Sequence, residues 1–499
     1  MQTAARDLVI TTAQGALRGA LVDGIASFKG VPYAAPPFGR NRFMAPQPAP
    51  HWDGVRDALA AGPVPPQAPY PPAIFALLGD QGVVGEDCLN LNIWTAEPAP
   101  GAKLPVMVWI PGGAFARGGG SLPVYDGSHL ARDGVVCVTI NYRLGADGFL
   151  QLDNAVPNRG LLDQVAALQW VQANIAAFGG DPSNVTIFGE SAGAFSIGAL
   201  LAMPVASGLF RRAILQSGAG HHSISTQTAE LVCNNLVQTL GVEPTIEALA
   251  GVPLQRLIAE STTLAAEMAM KPDPVRWGEA ALNGMMFEPV VDGQILPHRP
   301  IDRIRDGVTA GIDIMIGTTS EEWRFFVVPT GLLDLISEDQ LRLFTAFYGV
   351  QPDEVLPRYR SARPEASPGD VYCAVVTDWF FRVPAVRLAE AHASNGGTPF
   401  VYEFGWRSPL FQGKLGACHA LELGFVFDNL DAARPMTGEA APESLARSMH
   451  RSWVAFVTDG NPGWPSYSPE RRTVMRFAAE TETVIDPRAD ERSLWERSR

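Results

Sequence analysis

Residues 105–110 and 135–140 are near-continuous apolar runs, the pattern of strands covered on both faces of a parallel sheet. Upstream, residues 8–35 form short stretches broken by Gly15, Gly24 and Gly30, which predicts an antiparallel edge; a proline-rich surface segment follows, from Pro32 to Pro72. Apolar residues then fall at 161, 162, 165, 168, 170, 171, 175 and 178, a helical spacing, and Gly179-Gly180 supplies the stop. Residues 184–188 are again apolar and β-branched, and small residues run from there to Leu200 and Leu201. That is a strand, a sharp turn and a helix. Strand-like runs return at 213–216, 312–317 and 399–404, separated by mostly helical stretches at about 220–283 and 325–395. One sheet drawing on segments so far apart predicts a single α/β domain over residues 1–499. Its sheet is central and mostly parallel, with an antiparallel N-terminal edge and two helical insertions.

Composition narrows the function classes. At 46% hydrophobic and 18% charged residues the chain has the material for a large core. A net charge of −14 without a Lys/Arg cluster speaks against nucleic-acid binding. The five cysteines are scattered without a C-x-x-C pair, so neither a zinc site nor a disulfide framework is implied. The first 20 residues lack the apolar centre of a signal peptide, and no run approaches the ~18 apolar residues of a membrane span. The expectation is a cytoplasmic protein, monomeric or weakly homo-oligomeric.

The turn at 189–193 reads Gly189-Glu190-Ser191-Ala192-Gly193, a G-x-S-x-G motif in strand–turn–helix context. Such an elbow lifts a serine hydroxyl clear of the backbone, and side chains at the flanking glycines would clash. Ser191 is the candidate nucleophile. A serine hydroxyl needs a base, and the base needs an acceptor to fix its tautomer. Of the histidines well downstream, His298 precedes Pro300 in a turn, while His392 and His450 sit in polar helical contexts that read as surface. His419 lies in the small-residue loop Gly416-Ala417-Cys418-His419-Ala420 and is the candidate base. Glu321 and Glu322 follow the strand at 312–317, and spacing alone leaves the choice of acid open. Gly112-Gly113-Ala114-Phe115 after the strand at 105–110 suits an oxyanion loop. The pair His221-His222 has no further ligand nearby in sequence and reads as a loop or pocket rim; no metal or organic cofactor is called for.

Ordered motifs then extend the likeness over nearly the whole chain: 28–34 (Phe-Lys-Gly-Val-Pro-Tyr-Ala), 86–92 (Glu-Asp-Cys-Leu-Asn-Leu-Asn), Asn141-Tyr142-Arg143-Leu144-Gly145, Gly160-Leu161-Leu162-Asp163-Gln164 and Phe178-Gly179-Gly180-Asp181-Pro182. With the elbow, they resemble the type-B carboxylesterase family of the α/β-hydrolase fold. The resemblance implies Ser191 as nucleophile, His419 as base and Glu322 as acid, the last from a Gly-x-x-x-[Asp/Asn]-Glu pattern that starts at Gly317. It implies oxyanion donors at Gly113, Ala114 and Ala192, and support for the histidine from Glu190, Ser217 and Glu422. It further implies ion pairs Arg42–Glu86 and Arg143–Asp163. Pro111 and Trp323 depart from the family's usual residues without removing a catalytic group. Cys88 lacks the partner that secreted relatives place before it and is expected to be free. Residues 70–88 carry no tryptophan, which disfavours choline esters.

The implied activity is hydrolysis of small-molecule carboxylic esters through an acyl-enzyme on Ser191. Phe115, Trp323, Phe325 and Phe326 follow the catalytic loops and are candidates to line its pocket, with core packing as the alternative. Amide, carbamate or specialised polyester hydrolysis would use the same machinery. A binding protein that has lost its nucleophile is disfavoured, since serine, acid and histidine are all present.

Overall fold

A computed structural model of the chain describes residues 6–496. Its main sheet is built from β1 (Arg6–Thr11), β2 (Ala16–Val22), β3 (Ile25–Pro32), β4 (Val55–Asp57), β5 (Asn90–Thr95), β6 (Leu104–Ile110) and β7 (Val136–Ile140). β8 (Gly180–Glu190) and β9 (Arg212–Gln216) continue it, while β10 (Ile224–Ser225) and β11 (Val290–Val291) form a separate parallel pair. β12 (Asp313–Thr319), β13 (Phe400–Phe404), β14 (Thr473–Phe477) and β15 (Glu482–Ile485) complete the main sheet. The order is β1-β2-β3-β5-β7-β6-β8-β9-β12-β13-β14-β15, with β4 beside β2. Pairs from β7 through β14 are parallel, whereas β1–β3, β5 and β15 run antiparallel at the two ends. This is the α/β-hydrolase architecture.

The apolar runs of the sequence are the strands buried on both faces: every residue of β7 and β9, and the last five of β6, are buried. Parallel strands need long crossovers, and their carboxyl ends point the same way, so the loops after β6, β8, β12 and β13 meet along one edge. Those loops carry the glycine pair, Ser191, Glu321-Glu322 and His419 respectively.

Between β10 and β12 lie helices Thr226–Leu240, Ile246–Ala250, Leu254–Met270, Pro274–Trp277 and Glu279–Asn283. Between β12 and β13 the helical stretch runs from Arg324 to Ser394 and contains one wide π turn, Asp378–Arg382. Among the described residues no helix is long and apolar enough to cross a membrane. All five cysteines, Cys88 included, are buried and unpaired.

Two details depart from the sequence reading. Arg42 pairs with Asp147 at 2.7 Å and caps the carbonyls of Ala250 and Val252, instead of reaching Glu86, which is exposed. The short helix Gly145–Phe149 carries Asp147 to it across the fold. His392 and His450 are buried, with 1% and 2% exposure. Each ring turns to the inner face of its helix, bonding to Thr309 at 2.9 Å or to the Val426 carbonyl at 2.8 Å. His221 and His222 are also buried, and the His222 ring packs between Phe195 and Phe380 at 4.2 and 4.1 Å.

Arg143 and Asp163 lock the start of the Arg159–Asn174 helix to the loop after β7. Two guanidinium contacts of 2.7 and 2.8 Å and the Arg143 N–H at 3.0 Å all reach one carboxylate, and both side chains are at most 1% exposed. Removing one partner strands the other charge in a dry interior. Asp163→Ala should therefore lower stability by about 3–5 kcal/mol, read as a shift in the urea midpoint; a shift under about 1 kcal/mol would show that the pair is not holding this junction.

Candidate active site

Ser191 lies between β8 and the helix Ala192–Ala202, with φ 57° and ψ −124°, a strained conformation for a residue with a side chain. The strain is held by backbone packing. A Cβ on Gly193 would lie 2.0 Å from the Ile110 carbonyl, and one on Gly189 would lie 2.7 Å from the same oxygen. The elbow thus presses directly onto the end of β6. The Ser191 N–H donates to Gln216 O at 3.0 Å, and the residue is partly exposed.

The loop after β6 turns through Gly113 at φ +123° and Ala114 at φ +54°. Neither N–H donates to a described residue, and Ala192 opens a helix, where the first N–H groups have no intrahelical partner. Gln67, 8% exposed, grips this loop with its amide: it accepts from the Gly118 N–H at 2.7 Å and donates to the Gly118 carbonyl at 2.8 Å. The loop after β6 and the elbow thus present backbone N–H groups without partners among the described residues, and a helix N-terminus favours negative charge nearby.

His419 lies between two carboxylates. Its Nδ1 is 2.6 Å from Glu322 Oε2, and Glu322 Oε1 accepts the Thr319 N–H at 2.8 Å. Its Nε2 is 2.9 Å from Glu190 Oε1, an ion-pair distance without the alignment of a hydrogen bond. Side-chain exposure is 5% for His419, 5% for Glu190 and 0% for Glu322. Burial opposes a charge on the imidazole, but Glu190 and Glu322 outweigh it and raise its pKa to about 10. Burial likewise pushes Glu190 up, against the pull of His419.

The remaining sequence candidates separate. Phe325 and Phe326 flank the His419 ring at 6.0 and 5.3 Å, and Trp323 packs on Phe326 at 4.7 Å. Phe115 is fully buried against Phe149, in the core. Glu422 does not reach the histidine; its Oε1 meets Gln216 at 3.0 Å and the Tyr402 hydroxyl at 2.9 Å, and burial raises its pKa to about 8. The Ser217 hydroxyl is buried without a hydrogen-bond partner among the described residues. Glu321 contacts Arg324, Arg407 and the Ala417 N–H. No group of three His, Cys, Asp or Glu among the described residues could hold a metal ion.

Two features escaped the sequence. Phe381, from the π turn, lies 4.9 Å from the His419 ring, tilted by 40°; an aromatic run at 379–381 was visible, but nothing tied it to position 419. A cavity of about 120 Å³ opens beside Ala114, lined by Leu144, Leu257, Ala265, Met285 and Phe287 among others. These come from three distant segments, so no local pattern marks them.

A family model described as the carboxylesterase family matches residues 6–495. The chain is similar to the para-nitrobenzyl esterase of Bacillus subtilis, 38% identical over 97% of both chains. It is similar to the phenmedipham hydrolase of Pseudarthrobacter oxydans, 39% identical over 94% of both. Among solved structures, a carboxylesterase of Geobacillus stearothermophilus, Est55, superposes with a TM-score of 0.85 at 38% identity, covering 98% of this chain and 100% of that one.

A raised imidazole pKa means the folded state binds a proton that the unfolded chain releases near pH ~6.5. The stability it contributes is full below that pH and is lost as pH rises through about 10. Glu190→Gln removes one of the two carboxylates, so the His419 ring should titrate at distinctly lower pH, followed by NMR of histidine-labelled protein. An unchanged midpoint would show that the Glu190 contact does not hold the proton.

Proposed function

Because this chain belongs to the carboxylesterase family and is a serine-type carboxylic ester hydrolase, we propose that Ser191 is its nucleophile, His419 its base and Glu322 its acid. The observation that supports the assignment is the seating of His419: a buried carboxylate fixes its Nδ1 at 2.6 Å, while the elbow that carries Ser191 ends at the same sheet edge. Ser191 attacks the ester carbonyl as His419 takes the hydroxyl proton. The Gly113, Ala114 and Ala192 amides receive the charge on the carbonyl oxygen. The imidazolium so formed lies against Glu322 and Glu190. It then protonates the leaving alkoxide, and water activated by the neutral imidazole releases the acid.

The substrates are small-molecule esters, and the cavity beside Ala114 suits one apolar arm of such an ester. We read the helices of residues 226–283 and 324–394 as insertions that shape this approach within one hydrolase domain, Phe326 bordering it at 36% exposure. We also read the protein as cytoplasmic, in keeping with five unpaired cysteines. Ester cleavage is the leading activity; the similarity to a phenmedipham hydrolase brings phenmedipham itself into the test panel.

Ser191→Ala and His419→Ala should each lower kcat/KM for para-nitrophenyl acetate by roughly 10⁴–10⁶-fold, and an organophosphonate should label Ser191 in the parent protein. Full activity in Ser191→Ala, or a label on another residue, sinks the assignment. Ala265→Trp fills the cavity from the Leu254–Met270 helix. It should lower kcat/KM about tenfold or more for esters with bulky apolar acyl or alcohol groups and leave acetate esters nearly unchanged; an equal loss on both would place the cavity outside the substrate path.

A further inference from the structure

The acid loop and the histidine loop belong to different strands, β12 and β13, and must be held in register for His419 to face Glu322. The main-chain links are few: the Glu321 N–H donates to Ala417 O at 2.9 Å, and the His419 N–H donates to Glu322 O at 3.2 Å. The Glu321 side chain adds to them. Its carboxylate, 19% exposed, accepts from the Ala417 N–H at 3.0 Å and from Arg324 Nε at 2.8 Å, and it is also bonded to Arg407 Nη1. Arg324 in turn donates to the Lys414 carbonyl at 3.0 Å and to Asp370 at 2.7 Å. The histidine loop is shaped to admit this carboxylate. Gly416 has φ +62°, and a Cβ there would lie 2.6 Å from Glu321 Oε2 and 2.9 Å from the Arg324 side chain.

We propose that Glu321 is a positioning residue: its carboxylate, braced by Arg324 and Arg407, clamps Ala417 and so fixes where the His419 ring stands relative to Glu322 and Ser191. The adjacent glutamates then divide two tasks, one orienting the imidazole directly and the other holding the loop that carries it. The inference rests on the reading of His419 as the base. A surface ion pair alone would explain contacts to Arg324 and Arg407. It would not explain a carboxylate oxygen turned inward to a main-chain N–H two residues before the histidine, at a glycine that leaves room for it.

The test uses the full chain and para-nitrophenyl acetate, with kcat, KM, the pH profile and the melting temperature measured together. Glu321→Ala should lower kcat about 10²-fold, the scale of an ångström of misplacement, with KM changed less than about threefold. Its acidic limb should move to lower pH, because a displaced imidazole loses its carboxylate neighbours. Glu321→Gln, which keeps an acceptor, should recover roughly tenfold of that loss. Asp334→Ala, which breaks an exposed ion pair to Lys414 on the same loop, should leave kcat within about twofold. A folded Glu321→Ala with unchanged kcat and an unmoved acidic limb overturns the proposal. If that variant does not fold, Arg407→Ala decides: a severalfold loss in kcat with a moved limb supports the clamp, and parental behaviour overturns it. His419→Ala separates the two levels, since high residual activity there removes the base assignment itself, whereas an inactive His419→Ala beside a fully active Glu321→Ala removes only the clamp.

Discussion

Negative charge buried at one edge of the sheet is the constraint around which this site is arranged. Glu190, Glu322 and Glu422 are 4%, 0% and 0% exposed. Three ionised carboxylates in a low dielectric would repel one another and lack hydration. Two physical answers are visible. Glu190 and Glu322 sit on opposite nitrogens of one imidazole, so a single proton on His419 offsets both. Glu422, pushed up to about 8, is largely protonated at neutral pH and settles among Gln216 and Tyr402 as a neutral acid. The arrangement that makes burial tolerable also favours imidazolium, the species that exists after the serine proton has moved.

Geometry comes from backbone contact more than from side chains. The elbow is strained at Ser191 because Gly189 and Gly193 lie against the carbonyl of Ile110, and the oxyanion loop leaves that same strand one residue later. Ser191 and the Gly113–Ala114 loop are therefore placed relative to each other by direct packing of β6 on β8, the parallel pair at the centre of the sheet. Glu322 and His419 hang from β12 and β13, beyond β9, the histidine on a longer loop. Gln67 braces the loop after β6 at Gly118, and Glu321 braces the histidine loop at Ala417.

Much of this could be read in the sequence where the signal was local. The apolar runs marked the buried parallel strands because both of their faces are covered, and G-x-S-x-G marked an elbow because only glycine fits against Ile110. What depended on partners far apart in the chain was hidden. Two neighbouring glutamates cannot be told apart by spacing, since they differ in which way each carboxylate turns at the end of β12. Arg42 meets Asp147 instead of Glu86 because a five-residue helix is folded across it. His392 and His450 read as surface residues because their neighbours are polar, yet one helix face was enough to bury each ring. The cavity beside Ala114 assembles from residues near 144, 257 and 285, and no window of sequence contains it.

The strand order carries a consequence for how the molecule forms. β9 pairs with β12 across roughly a hundred residues, β12 with β13 across some eighty, and each of these ladders closes a long loop before any contact rewards it. Ser191 can take its place once β6, β8 and β9 have docked, but Glu322 and His419 arrive only with the two later strands. Most of the helical content can therefore exist in a chain that lacks a working centre. Activity should therefore return only once β12 and β13 have joined the sheet, and until β12 arrives the edge of β9 is open to pairing with a second chain.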